Sequence, residues 1–322
     1  PKLAEIKKLY QNVEFKAIDA AKGIIEIKNK FLFTNLSKYE LYWCQCSDKG
    51  IISDGVVNVD IKPFEKKVVD LELGKLPKTE YYLNLELREK DDTAYCKAGH
   101  IVAEQQFVIN EFDNVYDEIE EEQQLLVDDT YGSLRIISDD VVIRFERRER
   151  NQLYSIKVGN EELLQAPMRL NFWRALTDND RGTRAGSRLG CWRDAGDTPG
   201  IFNNTKWSIE GYKILDDGKK VVVTSGATVC TQPESKASIV YTITSKGMEI
   251  NLHFYPDPSL PEIPEVSLLF ELPKDFENVT YLGNGPEENY IDRANAAKIG
   301  LYNTTVSDMW VDYLKPQECG NR

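Results

Sequence analysis

Apolar and polar side chains alternate with a period of two over most of the first hundred residues. Val13-Glu14-Phe15-Lys16-Ala17-Ile18 starts the pattern, and Ile24-Ile25-Glu26-Ile27 resumes it after a glycine. Tyr81, Leu83, Leu85 and Leu87 share one face of an extended segment, with Tyr82, Asn84, Glu86 and Arg88 opposite. Further strands are expected near Tyr39 to Cys46, Lys67 to Leu73 and Ile101 to Val108, at intervals of about ten residues. Roughly seven short strands in about 100 residues predict an antiparallel, immunoglobulin-like β-sandwich.

Between Glu111 and Asp129 the chain carries nine acids and no base. Such a segment repels itself and has little apolar surface to bury, so it reads as a linker. Strand patterning then returns in longer elements: Leu134 to Ile137, Val141 to Phe145, Leu153 to Val158, Trp207 to Leu215, Val221 to Val229, Ser238 to Thr244, Met248 to Tyr255 and Val266 to Leu272. The predicted class is all-β. Residues 1–112 form the first sandwich, 113–129 an acidic linker, and 130–322 a larger sandwich. Arg174 to Thr205, rich in Gly, Asp and Arg, is a long excursion with no helical or strand period.

Composition narrows the chemistry. Of 322 residues, 41% are hydrophobic and 29% charged, which fits a folded globular chain with a sizeable core. The net charge of −13 repels phosphate backbones and anionic lipid, which argues against nucleic-acid and membrane-surface partners. No apolar run reaches the roughly 18 residues of a membrane span. The chain starts at Pro1 without an initiator Met and is expected to be cut from a longer polypeptide. Six cysteines (Cys44, Cys46, Cys96, Cys191, Cys230, Cys319) follow neither a C-x-x-C nor a zinc-ligand spacing, so no metal site is expected. Cys44 and Cys46 fall on one face if their run is a strand. Only His100 and His253 could serve as an imidazole base or ligand.

Two clusters could carry chemistry. In Asn171-Phe172-Trp173-Arg174-Ala175-Leu176-Thr177-Asp178-Asn179-Asp180-Arg181-Gly182, an aromatic pair leads into short polar side chains. The aromatics can anchor in a core while the amide and carboxylates emerge at an edge, where sugar hydroxyls could bind. The bland alternative has Asp178 and Asp180 holding the turn and pairing with Arg174 or Arg181. A calcium loop is excluded, because Leu189 stands where the bidentate Glu is needed.

The second cluster is Tyr281-Leu282-Gly283-Asn284-Gly285-Pro286-Glu287-Glu288-Asn289-Tyr290-Ile291-Asp292-Arg293. Neighbouring carboxylates in an extended segment point to opposite faces, so Glu287 and Glu288 cannot flank one glycosidic oxygen. A tight turn shaped by Gly283, Gly285 and Pro286, with one glutamate paired to Arg293, is the structural reading. Gly159-Asn160-Glu161 copies the end of a glycosidase signature but sits where a turn is expected. Asn35, Asn203, Asn278 and Asn303 begin glycosylation-type tripeptides, which carry meaning only in a secreted eukaryotic context.

Three motifs in order, F-W-R-A-x-T-D-N-D-x-G over Phe172–Gly182, G-x-G-P-x-E-N-Y-x-D-R over Gly283–Arg293 and P-Q-E-x-G-N-R over Pro316–Arg322, resemble the C-terminal part of family 2 β-galactosidases. Lys7 to Val13 looks like the segment that leaves that family's catalytic barrel. The resemblance spans nearly the whole chain and implies an immunoglobulin-like domain followed by a galactose-mutarotase-like β-supersandwich. It implies retaining hydrolysis of terminal β-D-galactosides by the parent polypeptide, with both catalytic glutamates on a barrel upstream of Pro1.

No catalytic residue is then expected in this chain. Arg174, Thr177, Asp178, Asn179 and Asp180 would take the role of a loop at the active-site rim. Gly283, Gly285, Pro286, Glu288, Asn289, Tyr290, Asp292 and Arg293 would be a structural motif. Leu176 departs from the proline commonest at its position in the family. The family's Mg or Na sites lie on the barrel, so no cofactor is expected here; the substrate would be met through the barrel. A cytoplasmic location is expected, with the periplasm as the alternative. Strands beyond Arg322 would complete the second sandwich, and the chain alone is expected to self-associate into a homo-oligomer. Two other classes stay open. A free-standing carbohydrate-binding module would use Trp173, Trp192 and Trp310 as its platform, and a mutarotase-like isomerase would need acid and base groups in one cleft.

Overall fold

The computed structural model describes residues 2–47, 49–73, 81–110, 123–148, 150–196, 205–290 and 293–310. A short helix, α1 (Lys2–Leu9), precedes seven antiparallel strands. These are β1 (Val13–Asp19), β2 (Ile24–Asn29), β3 (Tyr39–Ser47), β4 (Gly50–Asn58), β5 (Lys66–Asp70), β6 (Tyr81–Glu89) and β7 (Ile101–Asn110). They form two sheets, ordered β1-β2-β5 and β4-β3-β6-β7. Alternation sends Phe15, Ile25 and Ile27 from one sheet, and Leu41, Trp43, Leu83, Leu85 and Leu87 from the other, into a single core. Gly55 on β4 lies directly opposite Trp43, and a methyl group there would come within 2.9 Å of the indole ring. The strand is therefore built around a residue that breaks the hydrophobic pattern.

The second set of strands is β8 (Leu126–Asp129), β9 (Ser133–Ser138), β10 (Val141–Glu146), β11 (Leu153–Val158), β12 (Glu161–Glu162) and β13 (Ala166–Asn171), followed by β14 (Lys206–Leu215), β15 (Lys220–Val229), β16 (Ser235–Thr244), β17 (Gly247–Tyr255) and β18 (Ser267–Glu271). They form sheets β12-β11-β10-β9-β8 and β14-β15-β16-β17 and a separate pair, β13-β18. Phe145 and Tyr241, both buried, meet edge to face at 4.9 Å within the shared core. Gly159 and Asn160 turn the chain between β11 and β12, with Gly159 at φ 58°. Among the described residues the architecture is mostly strands in several sheets with few helices, in line with the all-β expectation.

Three features differ from the sequence reading. Of the expected linker 113–129, residues 113–122 lie outside the described residues, and Leu126–Asp129 form strand β8, paired with β9. The excursion Arg174 to Thr205 contains three helices of four to six residues: α2 (Asp178–Gly182), α3 (Ala185–Arg188) and α4 (Gly190–Ala195). Finally, β19 (Asn278–Gly285) and β20 (Lys298–Thr305) form a hairpin. The described residues divide into two compact units, 2–110 together with 278–310, and 123–277. The hairpin thus packs with the first sandwich, although it follows the second in the chain. No helix among the described residues is long and apolar enough to cross a membrane.

Candidate functional site

The loop after β13 is assembled from its buried end outward. Asn171, the last residue of that strand, is buried and donates through Nδ2 to the Trp173 carbonyl at 2.8 Å and to Glu265 Oε1 and Ser267 Oγ at 3.1 Å each. Its Oδ1 accepts from the Trp173 backbone N–H at 3.3 Å, so one amide closes the chain reversal. Phe172 is fully buried between Phe254, at 4.6 Å, and Trp192, at 5.8 Å. Trp192 is itself fully buried and donates through Nε1 to the Pro261 carbonyl at 3.0 Å. Trp192 therefore cannot be an exposed sugar platform; it anchors α4 because its large apolar ring finds Phe172 and Phe254 and its N–H finds a carbonyl. Trp173 is half-buried, with the Arg193 guanidinium 5.9 Å from its ring centre, and Trp310 is 65% exposed.

Beyond these aromatics the polar residues organise a helix start. Thr177 is the N-cap of α2: its side chain accepts from the Asp180 backbone N–H at 3.1 Å, while Asp180 Oδ2 accepts from the Thr177 N–H at 2.9 Å. This reciprocal pair satisfies two N–H groups that a helix start leaves without partners. Asp180 Oδ2 also accepts from Arg174 Nη1 at 2.6 Å, and the same guanidinium nitrogen reaches the Ala175 carbonyl at 3.1 Å. Burial alone would push the Asp180 carboxyl up, but the bonds from Arg174 and Thr177 outweigh it and hold the group below the usual aspartate range. Asp180 is thus ionised at neutral pH and cannot serve as a proton donor there. Asp178 opens α2, and Asn179 is exposed one residue further on.

The second motif lies in the other compact unit. Gly283 and Gly285 are strand residues of β19 rather than turn residues. A methyl group on Gly285 would sit 2.5 Å from Tyr281 Oη and 2.8 Å from Tyr302 Cε2, so glycine there makes room for two tyrosine rings that meet tilted, with centres 5.3 Å apart. A cis peptide joins Gly285 to Pro286. Glu288 is 4% exposed and accepts from Arg293 Nη2 at 2.8 Å, and the Arg293 guanidinium lies 5.2 Å from the Tyr290 ring centre. Tyr290 and Arg293 also exchange backbone hydrogen bonds, at 2.8 and 3.1 Å, and Asn289 reaches the Asn284 carbonyl at 3.4 Å. The expected glutamate–arginine pairing is present. Asp292 lies outside the described residues.

Several residues with clear roles carried no sequence signal. Glu5 of α1 receives Asn295 Nδ2 at 2.5 Å and the Ala296 N–H at 2.9 Å. Burial opposes its charge, yet these bonds and the nearby Arg293 hold its carboxyl below the usual range. Lys298 of β20 pairs with Glu104 at 2.7 Å and Glu86 at 3.7 Å, and Lys8 donates to Gln105 Oε1 at 2.8 Å and to the Glu104 carbonyl. Among the described residues, no group of three or more His, Cys, Asp or Glu is placed to hold a metal ion.

Comparison with known proteins decides the family. Residues 138–322 match the family described as Beta galactosidase small chain, and residues 25–110 match Beta-galactosidase, domain 4. The chain belongs to the β-galactosidase small-chain family. It is similar to the β-galactosidase of Priestia megaterium, with 32% identity across 100% of this chain and 31% of that protein. The Clostridium acetobutylicum β-galactosidase is 32% identical across 95% of this chain and 33% of its own length, and that of Streptococcus thermophilus is 28% identical across 100% and 30%. This small-chain family member therefore spans about a third of the curated relatives it matches. The family match begins inside β9 and runs through the hairpin, so it crosses both compact units.

Proposed function

We propose that the polypeptide carrying this chain hydrolyses terminal β-D-galactosides with retention, and that this chain is its non-catalytic part. In this reading it supports the barrel and lends the loop Arg174–Asp180 to the rim of the active site. The construction of that loop carries the assignment: Asp180 is fully engaged by Arg174 and Thr177, while Asn179 projects from the ordered start of α2 as an exposed amide. An amide offers both donors and an acceptor to sugar hydroxyls, and a loop already held by an ion pair and a capping box loses little entropy when it meets them. Asp180 and Glu288 are each committed to an arginine, which removes both as a free acid or nucleophile.

The test uses the polypeptide encoded by the whole reading frame. It should release nitrophenol from a nitrophenyl β-galactoside, the chain alone should not, and Asn179→Ala in the whole polypeptide should lower kcat/KM. Turnover by the chain alone, or an unchanged kcat/KM for Asn179→Ala, overturns the assignment.

A further inference from the structure

We propose that Cys44 and Cys46 form a redox-active dithiol, in which a hydroperoxide oxidises one thiol and the other resolves it to a disulfide within β3. The strand's alternation puts both thiols on the face opposite Leu41 and Trp43, and a bulge against β4 falls between Gln45 and Cys46. Their sulfurs stand 3.4 Å apart. Asn84 on β6, the register partner of Cys44, directs Nδ2 at both of them, at 3.8 Å to Cys44 and 3.4 Å to Cys46. The orientation of that amide is fixed, because Asn84 Oδ1 accepts from Gln106 Nε2 at 2.9 Å.

The environment shifts the two thiols in opposite directions. The contact with Cys46 is the main influence on Cys44; burial opposes it and Asn84 assists it, and the Cys44 thiol is pushed down to about 7. The Cys46 thiol is raised, first by that same bond and then by burial. Cys44 is buried and Cys46 half-buried beside it, and either sulfur can be the donor in their contact.

The chemistry balances with a hydroperoxide as the oxidant. One of the two sulfurs, as its thiolate, attacks one peroxide oxygen, an S–O bond forms, the O–O bond breaks, and hydroxide or alkoxide leaves to take up a proton. The other sulfur then attacks that sulfenic acid, an S–S bond forms, the S–O bond breaks, and the departing hydroxide leaves as water with the second thiol's proton. Two thiols are oxidised and one peroxide is reduced.

The full chain treated with hydrogen peroxide at pH 7 should lose the mass of two hydrogens and two alkylatable thiols, mapped by peptide mass spectrometry to Cys44 and Cys46. In at least one of the two single variants, Cys44→Ser or Cys46→Ser, dimedone should trap a sulfenic acid at the remaining strand cysteine about tenfold faster than at Cys191, whose thiol burial raises. Persistence of both free thiols after peroxide, pairing of Cys44 with a different cysteine, or trapping no faster than at Cys191 in both single variants overturns the proposal.

Discussion

The side-chain amide of Gln106 completes both backbone hydrogen bonds of Ile299: Oε1 accepts from the Ile299 N–H at 2.8 Å, and Nε2 donates to the Ile299 carbonyl at 2.8 Å. An amide side chain on β7 thus stands in for a strand partner to β20. Gln106→Leu keeps the approximate volume but leaves the Ile299 groups and Asn84 Oδ1 without these bonds. It should destabilise the chain by about 1–3 kcal/mol, with the loss concentrated in the hairpin. Hydrogen exchange reads this directly: protection at the Ile299 amide should fall before protection at Leu85, and an unchanged Ile299 rate would show that the hairpin is held by other contacts.

Gly285 tests the rings rather than the backbone. Gly285→Ala forces a methyl toward Tyr281 Oη and the Tyr302 ring and should cost about 1–3 kcal/mol, as overpacking does. Adding Tyr281→Phe removes the oxygen at the shorter contact, so the double variant should recover part of that loss in a denaturant melt. Simple additivity of the two substitutions would mean that the ring contact is not the source of the cost.

Both results bear on how much of the structure was legible in the chain. Period-two alternation found β1, β2, β3, β6 and β7, because each puts aliphatic residues on one buried face. It missed β4, β19 and β20, where Gly55, Gly283, Gly285 and Gly300 replace the side chains that would have marked a strand. The helices α2 to α4 are too short to show a 3.6-residue period, although Thr177 and Asp180 have the spacing of a capping box. Of the candidate loop, the Arg174–Asp180 pairing was among the sequence alternatives. The burial of Trp192 was not, since it depends on Phe254 and Pro261 more than sixty residues away. Gln106 and Ile299, 193 residues apart, leave no trace in a local pattern.

Lys8 supplies a pH signature for the same region. Burial, reinforced by Lys298 and opposed by Glu104, lowers its ammonium group to about 8. The unfolded chain then binds more protons at this position than the folded one between about pH 8 and the ordinary lysine value of roughly 10.4, so stability attributable to Lys8 rises with pH across that window. Compared with Lys8→Met, the wild-type chain should gain stability between pH 8 and pH 10 in matched denaturant titrations and show a constant offset below pH 7. A constant offset over the whole range would place the Lys8 ammonium group in water.

Asp180 has the opposite sign and connects stability to the proposed rim role. Its carboxyl is held below the usual aspartate range, so its contribution is present in full above the unfolded value of about 3.9 and is lost as pH falls through the lower folded value. Asp180→Asn keeps the shape but removes the charge facing Arg174. The stability gap between wild type and Asp180→Asn should therefore be constant from pH 7 to pH 5 and shrink below about pH 4. Asn179→Ala, one residue away and exposed, should shift the melt by less than about 0.5 kcal/mol. In the whole polypeptide the two substitutions should separate: Asn179→Ala lowers kcat/KM without moving Tm, whereas Asp180→Asn lowers both, because α2 loses the carboxylate that ties Thr177 and Arg174 together. If Asn179→Ala moves Tm as much as Asp180→Asn does, the exposed amide is a structural residue and the loop's contribution is confined to packing.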